Sequence, residues 1–438
     1  MDQWSEPSAS RPTGRGRYIV ITTFGNVVEW FDFTVFGFLA IVMSRNFFPS
    51  NDPTISLLAS FATFGVGFGA RPVGAIIFGR MGDVRGRRFV LLVSISLMAV
   101  SSLMIGLAPT YATAGAWGAA VVVFARILQG FSAGGEFGNA IAYLIEWAPP
   151  QRRGLFGSFH QIGSAGGLLA GSTVVALLNA FLSPADIEQW GWRVPFLLGG
   201  MLATAAYFLR LTLPESPAFL ATRDGAPPSS ARDGVIKPTL QTIGIVALWT
   251  ISVFASIVYM PTFTTQHGTL TGSQALWTTS IALMVLLVCI PIAGSASDRI
   301  GRRPIILMSA IFYALFSVPA FAAIANGATL ATVAAIQIAF AIGSGLISGV
   351  GPVAIGELFA VRVRSTWTSI GSAIAVTLFG GFAPFISTLL IERTGVPSSP
   401  GWLVAAVAVL TGLTGLTLPS VVRRQQVASP LAPTGSPS

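Results

Sequence analysis

The stretch "FGNVVEWFDFTVFG" (24–37) carries Asn26, Glu29 and Asp32 at intervals of three inside an apolar run. On a helix that spacing puts them on one stripe. A carboxyl group in a low-dielectric surrounding favours its neutral form, so it can take up and release a proton near neutral pH. Two chemistries fit: carriage of a proton, or a static ion pair that holds helices in register. The cations within reach are Arg71 in "GARPVG", Arg126 in "RILQG" and Arg193 in "GWRVPF". A guanidinium binds carboxylate as a bidentate fork and keeps its charge when desolvated. Arg71 is the first choice for a substrate carboxylate and Arg193 the second. Arg193 has an alternative as an interfacial residue beside Trp190 and Trp192. Gln129 lies one turn after Arg126 on the same face, and Glu136 follows "SAGG" as a second proton candidate or an arginine partner. His160, in "SFHQIGSAGG", is a residue type that could titrate near neutral pH, and is either a cavity residue or a packing residue. The expected substrate contacts are Arg71, Arg193, Asn26, Gln129 and His160. Glu29, Asp32 and Glu136 are the acids that could carry a proton.

Each charge inside a membrane costs at least about 2.5–3.5 kcal/mol on insertion scales. Elements must therefore shelter these groups. The 438 residues are 53% hydrophobic and 9% charged, with a mean hydropathy of +0.74. Soluble domains carry about 25% charged residues, so this is an all-α polytopic membrane protein. Runs of about 20 apolar residues predict twelve spans near 18–41, 55–79, 89–108, 118–146, 154–180, 191–212, 239–262, 274–297, 304–325, 329–356, 366–391 and 401–420. With both termini in the cytoplasm, 20 of the 25 basic residues fall in cytoplasmic segments, as the positive-inside rule requires. The net charge of +9 is dispersed between spans and does not form a nucleic-acid patch. The expected organisation is a tail at 1–17, a six-helix bundle at 18–212, a Pro/Ser/Arg-rich linker at 213–238, a second bundle at 239–420 and a tail at 421–438. No signal-peptide pattern opens the chain, and Cys289 is a lone buried thiol.

The halves echo each other. "GRMGDVRGRR" (79–88) and "GSASDRIGRR" (294–303) share Gly, Asp, Gly and Arg-Arg at the same offsets. Glu146 precedes Arg153 by seven residues, as Glu357 precedes Arg364. Two repeated six-helix halves are a transporter architecture. The glycines permit a tight turn, and the acid can pair near the next helix N-terminus. The loop residues concerned are Gly79, Asp83, Gly86, Arg87 and Arg88, and their counterparts Gly294, Asp298, Gly301, Arg302 and Arg303.

With these motifs the chain resembles the major facilitator superfamily over residues 18–420. "GNVVEWFDF", "ARPVGAIIFGRMGD", "RILQGFSAGGEFG", "GWRVPF" and "LPESP" narrow the resemblance to its metabolite:proton symporters. "LASFATFGVGFGARPVGA" and "LSPADIEQWGWRVPFL" are most similar to the citrate and α-ketoglutarate branch. The resemblance implies a major facilitator fold, a proton-coupling role for Arg126, and cytoplasmic latches built from the two loops with Glu146, Arg153, Glu357 and Arg364. Val84 stands where the family usually has a basic residue, and the coiled coil of osmosensing members is absent.

There is no phosphate-binding loop and no H-E-x-x-H, which argues against a pump or a metalloenzyme. The expected function is proton-coupled symport of a small organic anion, a di- or tricarboxylate, by a monomer needing no cofactor or metal. The alternatives are a zwitterion such as proline or betaine, a monocarboxylate such as shikimate, or a ligand sensor on a carrier fold. Scarce lysine and abundant Arg and Ala point to a bacterial inner membrane.

Overall fold

The computed structural model describes residues 15–85, 87–134, 137, 152–212, 234–359 and 361–418. Side chains are described for these except at 15–20, 22, 79, 82–84, 87 and 361–365. Apolar runs become helices because a bilayer cannot satisfy free backbone groups. The spans are α1 (Arg15–Phe38), α2 (Pro53–Phe78), α3 (Arg88–Gly106), α4 (Ala116–Ala133), α5 (Arg153–Phe181) and α6 (Arg193–Arg210). The second half has α7 (Ile236–Val258), α8 (Gly272–Ile300), α9 (Arg302–Ala325), α10 (Leu330–Glu357), α11 (Thr366–Thr394) and α12 (Ser399–Leu416). Ten of these helices are long and apolar enough to cross a membrane. The count reaches twelve when two bent pairs are each one span: α1 with Ala40–Phe47, bent by 67°, and Pro184–Gly191 with α6, bent by 45°.

Ends are set by local chemistry. Asp52 accepts from the Thr54 amide at 2.8 Å and Pro53 opens α2, a donor arrangement suited to a first turn. Thr271 and Gln274 form a capping box at α8. Single π-turns interrupt α7 at Phe254–Val258 and α11 at Val376–Gly381. In the first half α1 packs on α5 and α6, and α2 on α4. Across the halves α5 packs on α8 and α10, and α2 on α11. The contact of α2 with α4 is close because Gly67 faces Gly130: a Cβ on Gly130 would run into the Gly67 carbonyl. Helices 1 and 2 also bring a dense phenylalanine cluster, Phe33, Phe36, Phe64 and Phe68, into the buried centre.

Candidate transport site

The expected stripe on α1 divides among three partners. Three residues advance a helix by about 300°, so each step lags by about 60° and Asp32 lies about 120° round from Asn26. Asn26 turns to α5, donating to the His160 carbonyl at 2.8 Å and the Ser164 hydroxyl at 3.2 Å. Glu29 meets Arg71 of α2 at 3.4 Å. Asp32 accepts from the Ser102 hydroxyl of α3. The single cavity-facing stripe is therefore corrected: Asn26, Glu29 and Asp32 do not line the central cavity, and Glu29 reaches it through Arg71, which does.

Arg71 is buried under three rings. Its guanidinium carbon lies 4.4 Å from the Phe33 centroid, 4.6 Å from Phe68 and 5.1 Å from Trp30. Its Nε has no hydrogen-bond partner among the described residues. Arg71 and Trp30 line a cavity of ≈ 50 Å³ between the halves, with Gln161 and Ser164 of α5, Trp249, Thr250 and Phe254 of α7, and Ser348 of α10. That volume is below the about 300–1,000 Å³ of ordinary ligand pockets. The cavity must widen to admit a solute. His160 stands behind this wall, its Nδ1 3.1 Å from Gln161 Nε2 and its ring 5.2 Å from Phe137. The amide donates, so Nδ1 accepts. His160 thus steadies Gln161 and does not line the cavity.

A second cluster lies beside the first. Arg126 donates to Gln129 at 2.8 Å, Gln129 to Ser102 at 3.1 Å, and Ser102 to Asp32. Arg126, Gln129 and Asp32 are fully buried. Every donor in the chain points toward the carboxylate, which stabilises its ionised form. Asp32 Oδ1 has no partner among the described residues and faces Gly199 of α6, where a Cβ would strike it. Arg126 is boxed by Phe33, Phe36 and Phe64 at 4.8, 4.9 and 5.2 Å. Gln129, expected at the substrate, belongs to this chain instead. Arg71 and Arg126 share the Phe33 ring, so their guanidinium carbons are within about 9 Å. Two like charges at that distance repel by about 2 kcal/mol at an effective dielectric near 20.

Arg193 stands apart from both groups. It donates to the carbonyls of Gly106, the last residue of α3, and Ala108 just after it, at 3.1 and 2.7 Å, and lies over Trp192 at 4.2 Å. This placement closes a helix end and corrects the expectation of a substrate contact. Glu136, Gly86 and Glu146 lie outside the described residues, as do the side chains of Asp83, Arg87 and Arg364. Gly79 lies near the end of the second helix, and Arg88 donates to the Leu211 carbonyl at 2.6 Å.

The second loop can be read in full. Asp298 accepts from the Gly154 and Leu155 amides at 2.8 and 3.2 Å, the N-terminus of α5 in the other half. Arg302 pairs with Asp298 at 3.0 Å and with Glu357 at 3.0 Å. Gly294 packs directly on Gly154, beside Arg153, and Gly301 (φ +92°) turns the chain into α9 ahead of Arg302 and Arg303. At the other end Phe254 packs against Trp30, Phe64 and Phe68, and Thr377 donates to the Phe68 carbonyl at 2.9 Å. These contacts join the halves at the Asp298 loop and again beside Phe68.

Sequence reasoning missed Ser102, Ser164 and the rings of Trp30, Phe33, Phe36, Phe64 and Phe68. For Trp30, Phe33 and Phe36 the signal was their interval of three, which matches that of the acids. Trp249 of α7 lines the cavity. Tyr259 accepts from Thr388 at 3.3 Å, and Gln337 bonds to Thr278 and Thr279.

Residues 18–242 match the family model "Sugar (and other) transporter" and 251–437 match "Major Facilitator Superfamily". The citrate-proton symporter of Klebsiella pneumoniae is 34% identical over 394 residues, 89% of each chain. The ectoine/proline transporter ProP of Corynebacterium glutamicum is 34% identical over 426 residues, 93% of this chain and 83% of its own. The proline/betaine transporter of Escherichia coli K12 is 31% identical over 420 residues, covering 93% and 84%. In fold, the chain is similar to the partially occluded inward-open xylose transporter XylE of E. coli, with a TM-score of 0.73 at 18% identity over 90% of this chain and 95% of that one.

Proposed function

The chain belongs to the major facilitator superfamily, among its metabolite:proton symporters, and is a multi-pass transporter and not an enzyme; from this we propose that it takes up a small carboxylated solute together with protons by alternating access. The observation that carries the reading is the pair of buried arginines: Arg71 at the cavity and Arg126 on the Asp32 chain. Arg71 binds the solute carboxylate, and Asp32 Oδ1 takes the proton. Glu29 is the counter-ion that solute displaces from Arg71. Glu136 remains a second proton candidate.

Among carboxylates, the cavity favours a single carboxylate on an apolar or quaternary-ammonium body, as in proline or betaine. Arg71 is the one cation among the described lining residues, and Glu29 already offsets it. Residues 135–151 contain no basic residue to add a second. Trp30, Trp249 and Phe254 offer faces suited to a cation. The di- or tricarboxylate reading keeps one support, the 34% identity to a citrate-proton symporter. The positive-inside pattern supports cytoplasmic termini, and the bacterial relatives support a bacterial inner membrane. The bundles 18–212 and 239–420, joined by the linker at 213–238, rock about the cavity. The Asp298–Arg302–Glu357 contact acts as the cytoplasmic latch, with the loop at 79–88 as its counterpart.

Uptake into proteoliposomes under an inward proton gradient tests this, with citrate, α-ketoglutarate, succinate, shikimate, proline and betaine. Uptake of one solute that collapses with a protonophore is expected, with proline or betaine ahead of citrate. Binding without accumulation would replace the carrier by a sensor.

A further inference from the structure

Phe33 is fully buried on α1 and follows Asp32 directly. Among the described residues it is the one ring over which both arginines lie, Arg71 at 4.4 Å and Arg126 at 4.8 Å. Each guanidinium also has a ring of its own, Phe68 for Arg71 and Phe64 for Arg126, and these two rings sit 5.2 Å apart. The face of a ring carries the negative part of its quadrupole and attracts a desolvated cation. A close-packed ring transmits displacement, because it cannot yield to one neighbour without moving against the other.

We propose that Phe33 is the positioning residue that passes the state of the Asp32 chain to Arg71, so that a proton on Asp32 strengthens carboxylate binding in the cavity. This rests on the transport reading above. Ionised Asp32 balances the Arg126 charge through Ser102 and Gln129. Gly199 of α6 contributes no charge opposite Asp32. Among the described residues, the other ionisable groups on or against α1 are Glu29 with its partner Arg71, His160 of α5, and Tyr207 and Arg210 of α6, the last reaching Gly25. When the proton binds Oδ1, the balance at Arg126 is lost and its charge bears on Arg71 across the shared ring. Arg71 then gains more from a solute carboxylate. Linkage makes the effect mutual: bound solute favours the proton by the same factor.

Trp30 lies under Arg71 at 5.1 Å and serves as the reporter. The measurement is the emission difference between the protein and its Trp30→Phe form in nanodiscs, titrated across the neutral range. It is made in the wild-type background and in Asp32→Asn, Phe33→Leu, Phe33→Met and Phe33→Tyr. We expect a pH-dependent signal that Asp32→Asn removes. Phe33→Leu and Phe33→Met reduce it about tenfold, and Phe33→Tyr restores it by keeping the ring. Phe33→Met preserves most of the volume, so the comparison survives if Phe33→Leu does not fold. No pH-dependent signal in the wild type, or an undiminished one in the ringless variants, overturns the proposal. The signal requires no transported solute. Failure of the transport reading shows separately, as absent gradient-driven uptake of labelled citrate and proline.

Discussion

Arg126 in α4 and Gln337 in α10 lie 211 residues apart, the interval that also separates Glu146 from Glu357 and Arg153 from Arg364. At these matched positions the halves use different chemistry. In the first, a cation feeds a chain of donors that ends on a buried carboxylate. In the second, Gln337 accepts from Thr279 at 3.1 Å and donates to Thr278 at 3.2 Å, and every group is neutral. A neutral amide-hydroxyl cluster fixes α8 against α10 and has no proton to exchange. The charged chain is costly in a membrane, and its retention makes sense where its charge state changes during work. The fold is duplicated, but at these matched positions among the described residues the charged chain stands in the first half and a neutral cluster in the second.

Exchanging the two positions tests this contrast most severely. Gln337→Arg would place a guanidinium among neutral hydroxyls at a cost of about 3 kcal/mol, seen as lost monodisperse protein and a lowered Tm. Arg126→Gln should fold and lose proton-driven accumulation. A stable, active Gln337→Arg protein would break the comparison. Next in size is Arg71→Lys, which removes the planar fork and the stacking under Phe33 and Phe68. Solute binding should weaken by about 1.5–3 kcal/mol, read as the half-saturation for counterflow.

The cytoplasmic latch gives a smaller effect. Asp298→Asn keeps the shape but removes the negative charge from the N-terminus of α5. A loss of about 1 kcal/mol should shift the protein toward the inward-open state. In a Cys289→Ser background, a thiol at Ser164→Cys should then react about fivefold faster with a reagent supplied from the cytoplasmic side. Smallest is Gln337→Leu, which should cost about 0.6 kcal/mol in thermal stability and leave transport unchanged.

Much of the architecture was legible because a bilayer imposes a length and a polarity on each span. The repeat of Gly, Asp, Gly and Arg-Arg pointed to two halves, the charges inside spans singled out Arg71, Arg126 and Arg193, and the role of Arg126 came from the family resemblance. Three features were hidden by physical causes. The interval between Asn26, Glu29 and Asp32 suggested one face, but the lag of a 3.6-residue helix spread them over three neighbours. Arg193 reads from sequence like Arg71, and only the bend before α6 turns it onto the carbonyls of Gly106 and Ala108. The rings of α1 were not singled out because the interval of three that Trp30, Phe33 and Phe36 share with the acids is also the interval of an ordinary buried packing stripe.

The most direct test of proton handling in the first half is Asp32→Asn in proteoliposomes, assayed for both gradient-driven uptake and counterflow of citrate, proline and betaine. Asparagine preserves the contact with Ser102 and cannot cycle a proton. The expected result is counterflow near the wild-type rate for the transported solute, with no accumulation against its gradient. Accumulation by Asp32→Asn at the wild-type level would contradict the account and move the proton to Glu29 or Glu136.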